Sequence, residues 1–193
     1  MGSSGRGANP HSVNSVNIRI SRLTTYHPPT KDSVINHSSA ITATLYKVQD
    51  PNNLGLIYRT AECLGIKKIY TYKCANPNRR VTKGSHQWLK LTYIKSIKHY
   101  IQRQHNEGVN IICAKISNKS TPLSKLHFSY PCTIMIGNES HGIPDNISSL
   151  CDSIVEIPVY GKTPCLNTAV AFAIFSNESV SQFYKDKDKA LYE

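Results

Sequence analysis

From Ile41 onward, hydrophobic and polar positions alternate in short segments with two different periods. Short apolar runs rich in β-branched and aromatic residues predict strands, and apolar residues three or four positions apart predict helices. The two kinds of segment follow each other in turn, which is typical of parallel βαβ units. We therefore expect an α/β domain with a mostly parallel sheet.

The pattern predicts strands at residues 43–48, 69–72, 110–116, 132–136 and 154–157. The first helix is predicted after the turn at residues 50–53, with an apolar stripe from Leu54 to Leu64 and an end at Gly65. Further helices are predicted at residues 92–105, 144–150 and 166–182. The last of them is apolar around its whole circumference at residues 169–175, so it must be covered on more than one side, and a dimer interface would explain this.

Residues 1–40 have little apolar material, and they carry four Lys or Arg residues before the first acid, Asp32. We interpret them as a flexible basic N-terminal tail that precedes a folded domain at residues 41–193. Within the tail, residues 16–23 fit a short strand or helix, and residues 1–7 read like an expression scar or a loose terminus. A transit peptide and an RNA-binding arm are both compatible with this composition, so the expected location is cytoplasmic or organellar.

Charge narrows the choice of partner. The formal net charge is +11, and residues 63–106 hold ten Lys or Arg residues and no Asp or Glu. Cations gain free energy by replacing counterions along phosphates, so a nucleic acid is the first expectation and a membrane surface the second. A solvated basic face is the plain alternative. Trp88 and Tyr93 in this region either stack on bases or belong to the core.

The six cysteines lie far apart, without the spacing of a metal site, which predicts reduced and mostly buried thiols and no metal. No apolar run approaches the roughly 20 residues that cross a bilayer, so we expect a soluble protein in a reducing compartment. Neither a GxGxxG segment after the first strand nor a P-loop is present. Polar residues and glycines instead follow strand ends at residues 52–60, 137–142 and 157–167, where open α/β sheets bind ligands.

Together these three segments resemble the three motifs of the SpoU (TrmH-like) branch of the SPOUT RNA 2′-O-ribose methyltransferases. The matches, in family order, are Asn53 with Arg59-Thr60, then Gly137-Asn138-Glu139, then Ile157-Pro158, Gly161 and Cys165-Leu166-Asn167. Order and spacing agree across residues 45–178. One position departs from the family, which usually has Ser where this chain has Cys165, and a thiol is a weaker hydrogen-bond donor than a hydroxyl.

The resemblance implies an α/β fold with helices on both faces of the sheet, a C-terminal trefoil knot and a homodimer. It implies S-adenosylmethionine as the cofactor and ribose 2′-hydroxyls of tRNA or rRNA as the substrate. The implied cofactor-binding residues are Ala114, Gly137, Ile157, Gly161, Cys165 and Leu166. The implied catalytic residues are Arg59, Asn53, Glu139 and Asn167, and Arg59, Arg79, Arg80 and Lys83 are the expected RNA-binding residues.

Arg59 is expected to clamp a phosphate or polarise the 2′-hydroxyl, because a guanidinium has too high a pKa to serve easily as a base. By analogy it completes the site of the partner subunit. Each residue also has a simpler interpretation: Asn53 caps its helix, Arg59 pairs with Glu62 or Asp50, and Glu139 caps the next helix.

Two other functions stay open on the residues alone. One is a non-catalytic RNA-binding protein or assembly factor on the same fold, which the replacement of Ser by Cys165 favours. The other is a small doubly wound protein that binds another nucleotide or acts as an adaptor.

Overall fold

The computed structural model describes residues 37–190, and the side chains within them up to residue 188. The predicted tail therefore lies outside the described residues up to residue 36, as does the possible element at 16–23. The last four tail residues form a short helix, α1 (His37–Ala40). The His37 ring is buried and lies within hydrogen-bonding distance of the Leu64 carbonyl, at 2.7 Å, so this part packs against the folded unit.

Seven strands follow α1 and form one sheet. They are β1 (Ile41–Tyr46), β2 (Lys68–Tyr72), β3 (Lys90–Tyr93), β4 (Asn110–Ala114), β5 (Thr121–Pro122), β6 (Cys132–Ile136) and β7 (Ser153–Glu156). Their order across the sheet is β3-β2-β1-β6-β4-β7-β5, and every pair of neighbours runs parallel. The carboxyl ends of all seven therefore meet at one edge, which agrees with the expected α/β class.

Five more α-helices connect or follow the strands. They are α2 (Pro51–Cys63), α3 (Arg79–Thr82), α4 (Ile97–Asn106), α5 (Asp145–Ser148) and α6 (Thr168–Ala190). Short 3-10 helices occupy Ser85–Gln87 and Leu123–Lys125. In the described part of the chain, no helix is long and apolar enough to cross a membrane.

Two hydrophobic cores lie on opposite faces of the sheet. On one face, α2 and α6 pack against the sheet and each other, with Ile57 and Phe172 fully buried. On the other face, α4 inserts Tyr100 and Ile101 among residues of the central strands. Helices therefore cover both faces, as expected.

The segment before α4 differs from the prediction of a helix at 92–105. Residues 90–93 form the edge strand β3, because Thr92 and Tyr93 favour extended backbone and pair with β2. The helix starts only at Ile97, where the Ser96 hydroxyl accepts a hydrogen bond from the His99 N–H at 3.5 Å. The two-residue strand β5 is too short to leave a periodic signal.

Candidate active site

A cavity of about 300 Å³ opens at the carboxyl ends of β4, β6 and β7. Residues 114–116, 136–143, 155–157 and 165–166 supply most of its walls, and α6 closes the remaining side. Five predicted cofactor residues line it: Ala114, Gly137, Ile157, Cys165 and Leu166. Gly161 does not, since it sits in an exposed loop where an added Cβ would meet nothing within 4 Å.

The walls of the cavity are mostly apolar, with two carboxylates among them. Ile143 and Phe175 are buried side chains suited to a flat ring system. Glu139 and Glu156 add negative charge, and Glu156 is held by the Ser120 hydroxyl, which donates a hydrogen bond of 2.6 Å. These residues fit S-adenosylmethionine, which combines an adenine ring with a positively charged sulfonium.

Gly137 lines the cavity and also shapes the loop that follows β6. A Cβ at this position would lie 2.6 Å from the backbone carbon of Gly142 and 2.8 Å from the backbone nitrogen of Ile143. The glycine is needed because the 137–143 loop folds back on itself, and not only for the approach of a ligand. A larger residue would open the loop and move the cavity wall.

Asn138 fixes this loop and ties it to β1. Its Oδ1 accepts hydrogen bonds from the N–H groups of Ser140 and His141, both at 3.0 Å, which is the usual Asx-turn arrangement. Its Nδ2 donates to the Lys47 carbonyl at 2.8 Å. The loop after β6 is therefore anchored to the chain that follows β1.

The carboxylate of Glu139 is surrounded by donors. It accepts hydrogen bonds from the N–H groups of Gln49 at 3.1 Å and Asp50 at 3.0 Å, and from the side-chain amides of Asn53 and Asn138, each at 3.3 Å. Burial acts to raise the pKa of Glu139, but backbone N–H groups and the Asn53 amide outweigh it and hold the pKa below its usual value. Glu139 is thus ionised at neutral pH. It does not cap α5, whose cap lacks a side-chain hydrogen bond.

Asn53 and Asn167 complete a chain of hydrogen bonds. The Asn167 Nδ2 donates to the Asn53 Oδ1 at 2.9 Å, and the Asn53 Nδ2 in turn donates to Glu139. Asn167 also caps α6, because its Oδ1 accepts from the Ala169 N–H at 2.9 Å. Asn53 is buried and is not the cap of α2; Asp50 is. One residue from each predicted motif therefore belongs to a single network.

Arg59 lies apart from this network. On an ideal helix, a residue six positions beyond Asn53 is rotated from it by about 240° around the helix axis and displaced by about 9 Å along that axis. Arg59 is exposed in a surface depression between α2 and α6 that also contains Leu56 and Ala173. Among the described residues it forms no ion pair, so the expected pairing with Glu62 or Asp50 is absent.

The other three predicted RNA-binding residues lie near the start of α2. Arg79 and Arg80 are exposed on α3, and Lys83 follows with a left-handed backbone at φ 49°. Asn78 caps α3 and donates from Nδ2 to the Asn52 Oδ1 at 2.7 Å, which holds this basic turn beside α2.

Trp88 and Tyr93 are exposed by 73% and 78%, so the core interpretation of these two residues was wrong.

Lys115 was not among the predicted site residues, but it lines the cavity and is hydrogen-bonded to Asp145. The pKa of Asp145 lies below its usual value, mainly because of this hydrogen bond and the charge of Lys115. The one available signal was its position directly after the strand that ends at Ala114.

In the described residues, no group of three or more His, Cys, Asp or Glu side chains is arranged to hold a metal.

The six cysteines, all within the described residues, are free thiols. Cys113 and Cys132 are buried, as expected, but Cys63 and Cys165 are exposed. Cys165 lines the cavity and makes no hydrogen bond with any described residue.

Residues 40–177 match the sequence pattern of the SpoU rRNA Methylase family. A relative from Borreliella burgdorferi, named tRNA (guanosine(18)-2'-O)-methyltransferase, is 31% identical over 147 residues, which cover 74% of this chain and 67% of the relative.

Two solved structures are similar to the fold described above. The TrmH/SpoU tRNA modifying enzyme of Aquifex aeolicus has a TM-score of 0.73 and 25% identity, with 77% of this chain and 78% of that chain covered. The AdoMet-bound rRNA methyltransferase of Sinorhizobium meliloti has a TM-score of 0.67 and 27% identity, with 72% and 55% covered. This chain therefore spans about half of the Sinorhizobium protein and about two thirds of the Borreliella relative.

Proposed function

The chain belongs to the SpoU rRNA methylase family, and we propose that it transfers a methyl group from S-adenosylmethionine to a ribose 2′-hydroxyl of RNA. The observation that carries this proposal is the hydrogen-bonded chain Glu139, Asn53 and Asn167 beside the cavity. It joins the three motif segments at the one sheet edge where a cofactor and a ribose could meet.

We further propose tRNA as the substrate and a guanosine as the target nucleotide. The support is the Borreliella relative, whose name specifies guanosine 18 of tRNA. The exposed cations Arg79, Arg80 and Lys83 supply phosphate contacts, which position an RNA but do not read its bases. An rRNA substrate is the alternative, since the Sinorhizobium neighbour is an rRNA methyltransferase.

Bound S-adenosylmethionine supplies an activated methyl group on a positively charged sulfur. The protein must then hold the ribose oxygen in line with that methyl group, and alignment of this kind accounts for a large part of catalysis. Glu139 accepts four hydrogen bonds, which fills the capacity of a carboxylate. It therefore acts as a positioning residue that joins the 137–143 loop to the start of α2, and not as a base.

Asn53 and Asn167 also use most of their hydrogen-bond donors and acceptors within the network. Each keeps one amide N–H that can point toward a ribose or a phosphate. Arg59 is the motif residue with a positive charge, and it lies outside the cavity of its own chain.

We propose that a second copy of the chain brings Arg59 to the cavity of its partner. The exposed face formed by α2 and α6 carries the apolar side chains Leu56, Val170 and Ile174, which are 43%, 47% and 38% exposed. Arg59 lies on the same face. Covering these side chains in a dimer removes apolar surface from water and explains the unusually apolar start of α6.

We also infer the C-terminal trefoil knot of the family. Residues 165–166, which follow β7, line the same cavity as the 137–143 loop, which follows β6. The chain then enters α6, which packs against α2. This placement of the C-terminal segment at the cavity of the loop after β6 supports the inference.

A non-catalytic RNA-binding role is the second candidate, favoured by Cys165, which lines the cavity without a hydrogen bond to any described residue. Calorimetric titration with S-adenosylmethionine, followed by transfer of its labelled methyl group to an unmodified tRNA transcript, separates the two. We expect binding, and transfer to a 2′-hydroxyl that nuclease digestion locates. Cofactor binding without methyl transfer to tRNA or rRNA favours the second role. A folded protein that fails to bind the cofactor refutes the proposed methyltransferase activity.

A further inference from the structure

Two lysines occupy equivalent places at the ends of neighbouring strands. Tyr46 and Tyr72 are register partners in β1 and β2, and each is followed directly by a lysine, Lys47 or Lys73. The two tyrosine rings stack with their centroids 5.4 Å apart and their planes at 27°. The Lys47 Nζ lies 5.4 Å from the Tyr46 ring centroid, and the Lys73 Nζ lies 5.5 Å from the Tyr72 ring centroid.

Both lysines have an unfavourable backbone conformation. Their φ angles are 54° for Lys47 and 50° for Lys73, in the left-handed region that Gly and Asn adopt more easily than Lys. Such outliers often mark functional positions, because the local strain is retained for the side chain that it presents. Here the same outlier occurs twice, at the same place on adjacent strands.

Gln49 ties the backbone of both lysines to the hydrogen-bonded network of Glu139, Asn53 and Asn167. The Gln49 Nε2 donates to the Lys73 carbonyl at 2.7 Å and to the Lys47 carbonyl at 3.2 Å, while its backbone N–H donates to Glu139. The two lysines are therefore held beside the site where the ribose is expected, yet neither lines the cofactor cavity.

Both ammonium groups are available to a ligand. The two side chains are exposed, and in the described part of the chain neither forms an ion pair. The two lysines follow register partners on neighbouring strands, which lie about 4.8 Å apart, so their flexible side chains can reach the same RNA strand. Contact with the tyrosine rings restrains the lysines before binding, which lowers the entropy lost on binding.

We propose that Lys47 and Lys73 bind the RNA phosphates next to the methylated ribose and so position that ribose over the cavity. This inference rests on the proposed function, because it specifies how the RNA substrate is held at that site. It assigns the two lysines to the RNA and not to the carboxylate of the cofactor.

The test uses Lys47→Asn, Lys73→Asn and the double variant of the full chain. Asparagine keeps a side chain that tolerates the left-handed backbone, so the turn is preserved while the charge is lost. Lys125→Asn is the matched control, since Lys125 is an exposed lysine near the short edge strand β5. The measurements are the affinity for an unmodified tRNA transcript between 50 and 200 mM salt, methyl-transfer kinetics, cofactor affinity and melting temperature.

We expect the slope of log affinity against log salt concentration to decrease in magnitude by about one for each lysine removed. KM for the tRNA should rise more than kcat falls, and Lys125→Asn should behave as the wild type. Cofactor affinity should not change, and the melting temperature should stay the same or rise as the backbone strain is relieved.

An unchanged salt dependence in the double variant overturns the inference. A loss of cofactor affinity as large as the loss of RNA affinity also overturns it, and so does a lower melting temperature that accompanies the loss of RNA binding. These results are distinct from failure of the proposed function, which appears in the wild type as no methyl transfer. If the wild type transfers methyl groups and the double variant binds tRNA equally well, only the inference about the lysines fails.

Discussion

Gly137 and Gly161 are both motif glycines, but their surroundings differ. An added Cβ at Gly137 would come within 2.6 Å of backbone, whereas at Gly161 it would meet nothing within 4 Å. Gly137→Ala should therefore displace the loop that walls the cavity and reduce cofactor affinity by at least tenfold, equivalent to about 1.4 kcal/mol. Gly161→Ala should leave affinity unchanged. Calorimetric titration of both variants with S-adenosylmethionine checks this, and equal affinities would contradict it.

Glu139 provides a test that depends on pH. Glu139→Gln replaces a carboxylate that accepts four hydrogen bonds with a side chain that has one acceptor oxygen and an amide group facing other donors. The free energy of unfolding at pH 7 should therefore fall by about 1 kcal/mol. Folding lowers the pKa of Glu139 from its ordinary value of 4.5. Its stabilising contribution is therefore complete above pH 4.5 and is lost as pH falls through the lower folded-state pKa.

The melting temperatures of wild type and Glu139→Gln should accordingly differ at pH 7 and converge as the pH falls below 4.5. Glu62→Gln is the control, since Glu62 forms no ion pair with another described residue. A constant difference across this pH range would mean that the carboxylate charge of Glu139 does not stabilise the fold.

At the level of elements, the strand β6 was predicted with its observed bounds, because an apolar run of 5 residues between a proline and a glycine is too short for a helix. The start of α2 was less certain. Four consecutive residues at 50–53 are all common at helix starts, and only the structure shows that Asp50 is the cap and that Asn53 is free for the network. Local pattern gives the element, but tertiary contacts decide the role of each polar residue.

The edge of the sheet at β3 gives an independent way to observe RNA. Trp88 is the only tryptophan of the chain, and it is 73% exposed beside β3 in the basic region. If it stacks on a base, addition of the tRNA transcript should quench its fluorescence, while S-adenosylmethionine should not. Unchanged emission at saturating RNA would exclude base contact by Trp88.

On the scale of the whole molecule, the parallel sheet explains why residues distant in sequence form one site. Asn53, Glu139 and Asn167 follow different strands, and the common edge brings them together. The order of the motifs in the sequence was enough to group these three. The family resemblance further implied that Arg59 serves the partner's site. The residues alone did not show that Arg59, only six residues from Asn53, lies on another surface, because that depends on which face of α2 packs against the sheet.

This separation leads to a test of the dimer. If Arg59 serves the partner's cavity, a chain with Arg59→Ala and a chain with Gly137→Ala should complement each other. In the mixed dimer, the intact cavity belongs to the Arg59→Ala chain and receives Arg59 from its partner. An arginine that served its own chain would instead leave both sites inactive.

The two chains should be co-expressed with different affinity tags, and the mixed dimers isolated through both tags before methyl transfer is measured. With S-adenosylmethionine held well below its wild-type dissociation constant, each variant alone should be nearly inactive. The mixed dimer should have about half of the wild-type activity, because one of its two sites is complete. Inactive mixed dimers that still bind S-adenosylmethionine would show that the intact cavity does not receive Arg59 across the interface, and a monomeric wild type would remove the basis for the exchange.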